Sequence, residues 1–511
     1  MKEDGVGDAC AALGAKERPE WPKPTSDSVR VALVRQVESR GGEIVSFGMP
    51  FPPDVLWDDG AIRVFGEDGE EIPAFTAPLA HWRIDGSTRG LRSVLIQFEA
   101  LPGSGREAGV TVTWKMPRAK RRTSLTPIWQ TQTAMRVEPP AEYHDYAESF
   151  EYRWPRVLAL LPPEWLCESL VAWQQVPAKA NALAPWFDRH FEEHFENSLV
   201  HVSAKTATFH AHLFDRPTVY LKAYVRSGEA RHLEAGLSSL EFYLQHIGED
   251  GFFDLKPAKD HKYLYTEGAA LAYMLTGDER YRAAAEGIIR TWDGYANVEY
   301  APGRFWTERH HGFGMAAYVH AYEATGEARY LERARWFFEA ALEVQRQPAD
   351  GGPPDGAFLH TAGDHSEHGR KGWISSPWMS AFLADAIWKY WMLTGDRRCP
   401  STLAAYADFI RKHAITPDGR GVYYLAASPG RGESVVGDSP AHNMEGIYFL
   451  AMGHYLSGGT QATFLEKIEP LVAPLVADDA NSPARKFSWR FRETSMLLWF
   501  LANGGARQKT I

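Results

Sequence analysis

Leu275-Thr276-Gly277-Asp278-Glu279-Arg280-Tyr281-Arg282-Ala283-Ala284 decides the fold, because the chain repeats it. Arg226-Ser227-Gly228-Glu229-Ala230-Arg231-His232-Leu233 and Ala324-Thr325-Gly326-Glu327-Ala328-Arg329-Tyr330-Leu331 share its form, and Gly228, Gly277 and Gly326 are spaced 49 residues apart. A fourth copy, Leu393-Thr394-Gly395-Asp396, follows a longer gap, and Leu456-Ser457-Gly458-Gly459 is a degenerate fifth. A helix ends at each Gly, which takes the left-handed conformation at no steric cost. The acidic residue after it suits the positive end of the next helix. Each copy is therefore an αα-hairpin that must stack on its neighbours to bury its apolar face.

Leading helices are expected at 216–227, 267–276, 314–325, 381–394 and 444–457, with a sixth at 492–502. Six pairs closing on themselves make an (α/α)6 toroid over 162–505; a longer open solenoid is the alternative. Residues 350–377 read as an insertion between pairs.

Upstream the texture differs. Val29–Val37, Ala61–Phe65, Ile72–Leu79, Leu91–Glu99 and Val110–Lys115 are short β-branched or alternating runs. Gly41-Gly42, Asp68-Gly69 and Pro102-Gly103 supply turns between them. Residues 29–161 thus read as a small β-barrel or sandwich, giving an α+β multidomain chain. Residues 1–28, rich in Gly, Pro and charge, read as a flexible segment.

Composition bounds the function. The 511 residues are 44% hydrophobic and 23% charged, a globular balance with room for two domains. A net charge of −10 argues against nucleic acid as a partner. No apolar run approaches a membrane span or a signal peptide, so no membrane association is expected and the cytoplasm is the expected compartment. Cys10, Cys167 and Cys399 have no metal-ligand spacing. Phosphate-loop, dinucleotide, nucleophile-elbow and zinc-protease motifs are all missing from the sequence. The 18 Trp suit sugar stacking as well as core packing.

The polar residues gather just before the leading helices. Their order is His210, His212 and Arg216; His261, Lys262, Tyr263, Tyr265 and Glu267; Arg304, Trp306, Glu308, Arg309, His310 and His311; His365, His368, Arg370, Lys371, Trp373 and Trp378; His442 and Asn443; and Arg490 and Arg492. In a toroid these patches become one rim, and helix N-termini there favour an anionic ligand. Singly, each such His or Arg reads as a solvated or structural residue; six patches in equivalent positions read as a cleft. His360, Asp364, His365 and His368 could ligate a metal, but the spacing fits no strong motif and a solvated loop is the plainer reading. No metal or cofactor is expected. The basic run Lys115, Arg118, Lys120, Arg121, Arg122 reads as an exposed loop that could also help hold an anionic polymer.

Two features together resemble a known family. Gly48-Met49-Pro50-Phe51-Pro52-Pro53-Asp54-Val55-Leu56, then Ile62–Ala74 and Leu91–Phe98, look like the N-terminal RIFT-type β-barrel of the exo-rhamnogalacturonan lyase and YetA-like proteins. Asp215-Arg216-Pro217, His261 through Gly268 and the Thr-Gly-Asp/Glu copies are similar to that family's toroid. The resemblance implies a polysaccharide lyase that cleaves an acidic, uronate-containing polysaccharide or oligosaccharide by β-elimination.

That chemistry needs a cation to neutralise the uronate carboxylate, a base for the C5 proton and an acid for the leaving oxygen. The rim supplies Tyr263 or Tyr265 as base and acid, His261 or His310 as partner, and Arg309, His442 or Asn443 as neutraliser. His210, His212, Arg216, Glu267, Arg304, Trp306, His311, His365, Trp373, Trp378, Asn443 and Arg490 complete the expected substrate-binding set. Two other readings stand beside it. A glycoside hydrolase would need two of Glu267, Glu308, Asp438 and Glu445 facing each other. A non-catalytic glycan-binding protein would need none of them. The sequence leaves the sugar and the oligomeric state open.

Overall fold

The computed structural model describes residues 16–38, 41–100, 107–205, 209–256, 258–298, 307–363, 371–437, 440–478 and 484–505. Strands dominate its first third: β1 (Ser28–Arg35), β2 (Glu43–Pro50), β3 (Arg63–Phe65), β4 (Glu71–Ile72), β5 (Ala74–Ile84), β6 (Ser87–Ala100), β7 (Glu107–Thr113), β8 (Gln132–Val137), β9 (Phe150–Pro155) and β10 (Val157–Leu160). They form a five-stranded sheet ordered β10-β1-β7-β3-β4, a three-stranded sheet ordered β2-β6-β5 and a separate β8-β9 pair. Of the expected barrel or sandwich, the described residues show separate sheets, with no strand ladder joining the two larger ones into a closed barrel. Alternation explains their inward faces: Val29, Val31 and Leu33 of β1, like Ala80, Trp82 and Ile84 of β5, are buried. Most of the basic run lies at the surface, with Lys115 against Asp27 and Lys120 against Glu70, but the Arg118 side chain is buried and donates to Asp59 O and Ala74 O.

The helices follow: α1 (Pro163–Glu168), α2 (Pro185–Leu199), α3 (Arg216–Ser227), α4 (Ala230–Gln245), α5 (Glu267–Thr276), α6 (Glu279–Val298), α7 (Glu308–Thr325), α8 (Ala328–Arg346), α9 (Pro377–Thr394), α10 (Arg398–Phe409), α11 (Asn443–Leu456), α12 (Thr463–Glu466), α13 (Glu469–Val476), α14 (Ala484–Phe491) and α15 (Leu497–Asn503). A short β-hairpin, β11 (His360–Thr361) with β12 (Trp373–Ile374), lies in the insertion before α9. No helix among the described residues is long and apolar enough to cross a membrane.

Burial sorts these helices into two layers. α5, α9 and α11 are buried on nearly every side, as is α7 apart from Arg309. They form the inner layer with α3 and the α14–α15 stretch. Outer helices such as α4, α6 and α8 alternate buried and exposed positions. Successive inner helices pack α3 on α5, α5 on α7, α7 on α9, α9 on α11 and α11 on α15, while α14 returns to α2 and α3. That return closes the ring of paired helices.

The repeated turn has a clear mechanism. Gly228, Gly277, Gly326 and Gly395 sit at φ between 64° and 74°, each sending its N–H to the carbonyl four residues back. The Thr before them works in both directions. Thr276, Thr325 and Thr394 donate Oγ1 to the carbonyls of Ala272, Ala321 and Tyr390 and accept the N–H of Asp278, Glu327 and Asp396. Asp278 and Asp396 then accept the N–H of Arg280 and Arg398, starting the next helix.

The β2-β6-β5 sheet covers part of this turn face. Ser93 Oγ donates to Met274 O at 2.6 Å, Tyr273 OH to Leu79 O at 3.0 Å, and Asp85 N to Leu393 O at 2.8 Å. Arg92 enters the ring's base, its guanidinium carbon 4.1 Å from the Trp82 ring centre and Nη2 3.1 Å from Glu323 Oε1. One buried apolar cluster runs from Val29 to Leu501. The sheet closes the base of the ring.

Candidate active site

At the opposite ends of the inner helices, aromatic rings converge. Phe214, just before α3, stacks on Phe382 at 5.3 Å and meets Trp378 and Trp489 at 5.7 Å each. Trp378 also stacks on Tyr424 at 6.0 Å and on His442 at 5.6 Å, and His442 lies 5.2 Å from Trp489. The result is an aromatic floor built from the N-terminal ends of α3, α9 and α11, from Trp489 in the last turn of α14 and from Tyr424 in the loop before α11. Phe214 and Asp215 reach it through left-handed backbone, φ 78° and 54°. That strained turn is held by Asp215, whose carboxylate accepts from Thr218 N and Oγ1.

Arg309, the second residue of α7, sits over this floor with its guanidinium carbon 5.2 Å from the Trp378 ring centre. Its Nε has no hydrogen-bond partner, and no carboxylate among the described residues pairs with it. Burial pulls the guanidinium below the usual arginine range, while Tyr424, Asp260, Tyr265 and Tyr263 oppose that pull. Lys262 lies on the same side, 3.3 Å from Asp260, its ammonium lowered chiefly by burial and next by Arg309. His310 bonds Thr307 Oγ1 through Nδ1 at 2.7 Å; burial, Arg309 and Lys262 keep it neutral. His261, edge-on to Phe252 and tilted on Trp292, is pulled down to about 4 by burial. An unpartnered cation on an indole face, beside neutral imidazoles and phenols, can bind a carboxylate and move a proton.

Several expected residues have other employment. Tyr265 OH accepts the N–H of Phe214 at 2.7 Å and donates to Lys262 O, so it braces two rim loops instead of facing a ligand. Tyr263 is buried flat against Phe253 at 5.7 Å. His212 bonds Ala204 O and stacks on Phe242; His311 bonds Phe337 O; Arg216 donates to Ser198 O. Asn443 uses its whole amide on Val422 N, Arg420 O and Leu471 O. Arg490 pairs with Asp478 and with His194 Nε2. These contacts correct the expectation that His212, Arg216, His311, Asn443 and Arg490 present themselves to substrate: each satisfies a buried backbone or ionic partner. Trp373 lies in β12, partly exposed. Arg304, Trp306, His365, His368 and Arg370 fall outside the described residues, as do Asp438 and the His210 side chain.

Glu308 is occupied as well. Its Oε1 accepts from Ser375 Oγ at 2.7 Å and Ser376 N at 2.8 Å, and Oε2 lies 2.8 Å from His360 Nδ1. It ties the insertion to α7. His360 therefore meets a carboxylate inside the protein.

Below the floor, the ring's axis carries a buried ionic network that local sequence does not reveal. Glu267 receives Lys389 at 2.6 Å, Lys222 at 3.1 Å, Arg492 at 2.9 Å and His320 at 3.3 Å. Those neighbours, Lys222 and Lys389 foremost, hold its carboxyl well below the usual range, against burial. Glu267 thus belongs to the axis and not to the rim. With His320 and Asp385 it has the spacing of a metal site. Lys389 Nζ fills that position, 2.7 Å from Asp385 and 3.3 Å from His320. Glu445 stands apart from the network: it is buried, neither carboxyl oxygen has a hydrogen-bond partner, and Oε2 lies 3.9 Å from His442 Nδ1.

Tyr424, Trp489 and the axial Lys389, His320 and Asp385 were not expected from sequence. Tyr424 follows no repeat signal, and the axial residues sit inside helices that otherwise read as apolar core.

No family model and no curated protein matches the chain. Solved structures share a partial likeness. A glycosyl hydrolase family 88 protein from Bacteroides vulgatus matches with a TM-score of 0.44 at 12% identity, over 61% of this chain and 98% of its own. A sugar epimerase from a ruminal bacterium matches at 0.43 and 15%, over 59% and 88%. A polysaccharide lyase matches at 0.42 and 13%, over 60% and 93%.

Proposed function

We propose that the protein is a carbohydrate-active enzyme that cleaves a uronate-containing acidic glycan by β-elimination. The observation that carries this reading is Arg309, a largely buried guanidinium on the face of Trp378 without a carboxylate partner among the described residues. A desolvated, unpaired cation is costly to keep, and a ligand carboxylate would satisfy it.

Neutralising the uronate carboxylate acidifies the C5 proton. His310, held neutral, takes that proton; the C5–H electrons form the C4=C5 bond and the C4–O bond breaks. His442, stacked on Trp378, returns a proton to the leaving oxygen. The motif resemblance at Gly48–Leu56 and His261–Gly268 points the same way.

Incubation with pectic, alginate and glycosaminoglycan polymers tests the reading through two readouts. β-Elimination gives new reducing ends together with the ultraviolet absorbance of the unsaturated uronate. Reducing ends without that absorbance would mean hydrolysis. Binding without either would mean a glycan-binding protein.

A further inference from the structure

We infer that Glu445 is a buried proton-holding residue that acts through His442, resupplying the proton His442 gives to the leaving oxygen. The inference rests on the β-elimination reading for its chemical role, while the coupling between the two residues stands on geometry. Glu445 and His442 lie three residues apart at the start of α11, Nδ1 to Oε2 3.9 Å. His442 forms part of the floor under Arg309, and Glu445 lies behind it, 1% exposed.

A buried carboxyl normally has a cation or hydrogen-bond donors. Neither oxygen of Glu445 has one. The contrast with Glu267, surrounded by four basic groups, is direct. Such a carboxyl is stable only when protonated. Burial raises it to about 8; its own backbone N–H and Arg490 oppose this, and Glu493 adds to it. Facing it are Arg490 on α14, Glu493 after α14 and His442 before α11, and Tyr448 follows one turn along α11. Tyr448 OH has no hydrogen-bond partner either.

The leaving oxygen takes a proton from His442 Nε2, and Glu445 passes its proton to His442 Nδ1. Glu445 is left as a carboxylate near Arg490, and the C5 proton sits on His310. Exchange with solvent resets both. Closing 3.9 Å to hydrogen-bond distance needs about 1 Å of side-chain movement.

Glu445→Gln is the decisive variant, because Gln matches the neutral acid in size and has no acidic proton. Expected in a polymer-cleavage assay is a loss of kcat of at least tenfold with KM within twofold, disappearance of the alkaline limb of the pH profile near 8, and partial rescue by Glu445→Asp. Wild-type kcat and an unchanged pH profile in Glu445→Gln would overturn the inference. If the wild type forms no unsaturated product on any uronate polymer, the elimination reading fails separately. The coupling is then read without turnover, from the imidazole titration of His442 by nuclear magnetic resonance. A shift of more than half a pH unit in Glu445→Gln supports the pair, and no shift overturns it.

Discussion

Lys389 Nζ lies 2.6 Å from Glu267 Oε1 and occupies the position a metal ion would take among Glu267, Asp385 and His320. The ammonium is held above its usual range, burial notwithstanding, by Asp385 and Glu267. Lys389→Met would strip charge from two buried carboxylates at once. The expected cost is about 3–5 kcal/mol, since breaking a buried pair leaves an uncompensated charge. Thermal denaturation checks it. Replacing Asp385 by Asn alongside should recover part of the loss, because one uncompensated carboxylate is then removed.

The ring was legible because its signal is short-range. A Thr, a Gly and an acid at fixed offsets encode a helix stop and restart whatever surrounds them. Accordingly 216–227 and 267–276 agree with α3 and α5 at both ends. The α7 start was read late, at 314 instead of Glu308, because Gly312 and Gly314 interrupt its first turns. Each lets a neighbour approach, Gly312 against Leu383 and Gly314 against Phe337. β2 was missed because Gly48 and Pro50 disguise its alternation. The ends of the inner helices where polar residues gather were legible, and what each side chain there touches was not. Nothing local in sequence says that Tyr265 spends its hydroxyl on the Phe214 N–H, or that Tyr424, 115 residues after Arg309, comes to share Trp378 with it.

Arg309→Ala separates function from stability. A buried guanidinium lacking a carboxylate costs free energy in the folded state, so its removal is expected to leave the melting temperature unchanged or raise it. Activity should move the other way. On the proposed role, loss of Arg309 is expected to lower kcat/KM by about 10²–10³-fold, the scale for removing one transition-state donor. Arg309→Lys should recover only part, since an ammonium cannot bind a carboxylate with two parallel N–H groups. A fall in melting temperature of several degrees in Arg309→Ala would contradict this account.

Glu445 also predicts how stability depends on pH. Its folded value, about 8, lies above the ordinary carboxyl value near 4.5. Between those limits the folded state holds a proton that the unfolded state has released. The contribution is therefore fully present below pH 4.5 and is lost as pH rises through 8, at up to about 1.4 kcal/mol per unit. Buried histidines act in the opposite sense: His190 and His212, both held at about 3 by burial, cost stability as pH falls below 6.5. Subtracting the two proteins isolates the carboxyl. The melting temperature of Glu445→Gln minus that of wild type should rise steadily from pH 5 to pH 8, and a flat difference would refute the protonated state.

Gly48 decides whether the sheet and the ring are one cooperative unit. A Cβ there would run into the backbone carbonyl of Met274, the last turn of α5, which cannot give way as a side chain would. Ser93 Oγ bonds that same carbonyl from the neighbouring strand. Gly48→Ala must therefore part β2 from α5 or distort the helix end next to the Gly277 turn. Because the two regions share one buried cluster and the buried Arg92–Glu323 pair, wild type is expected to unfold in a single calorimetric transition. Gly48→Ala should lower that transition by about 2 kcal/mol or more, or split it in two, with the sheet melting first. Two transitions already in wild type, neither shifted by Gly48→Ala, would show that the sheet only rests against the ring.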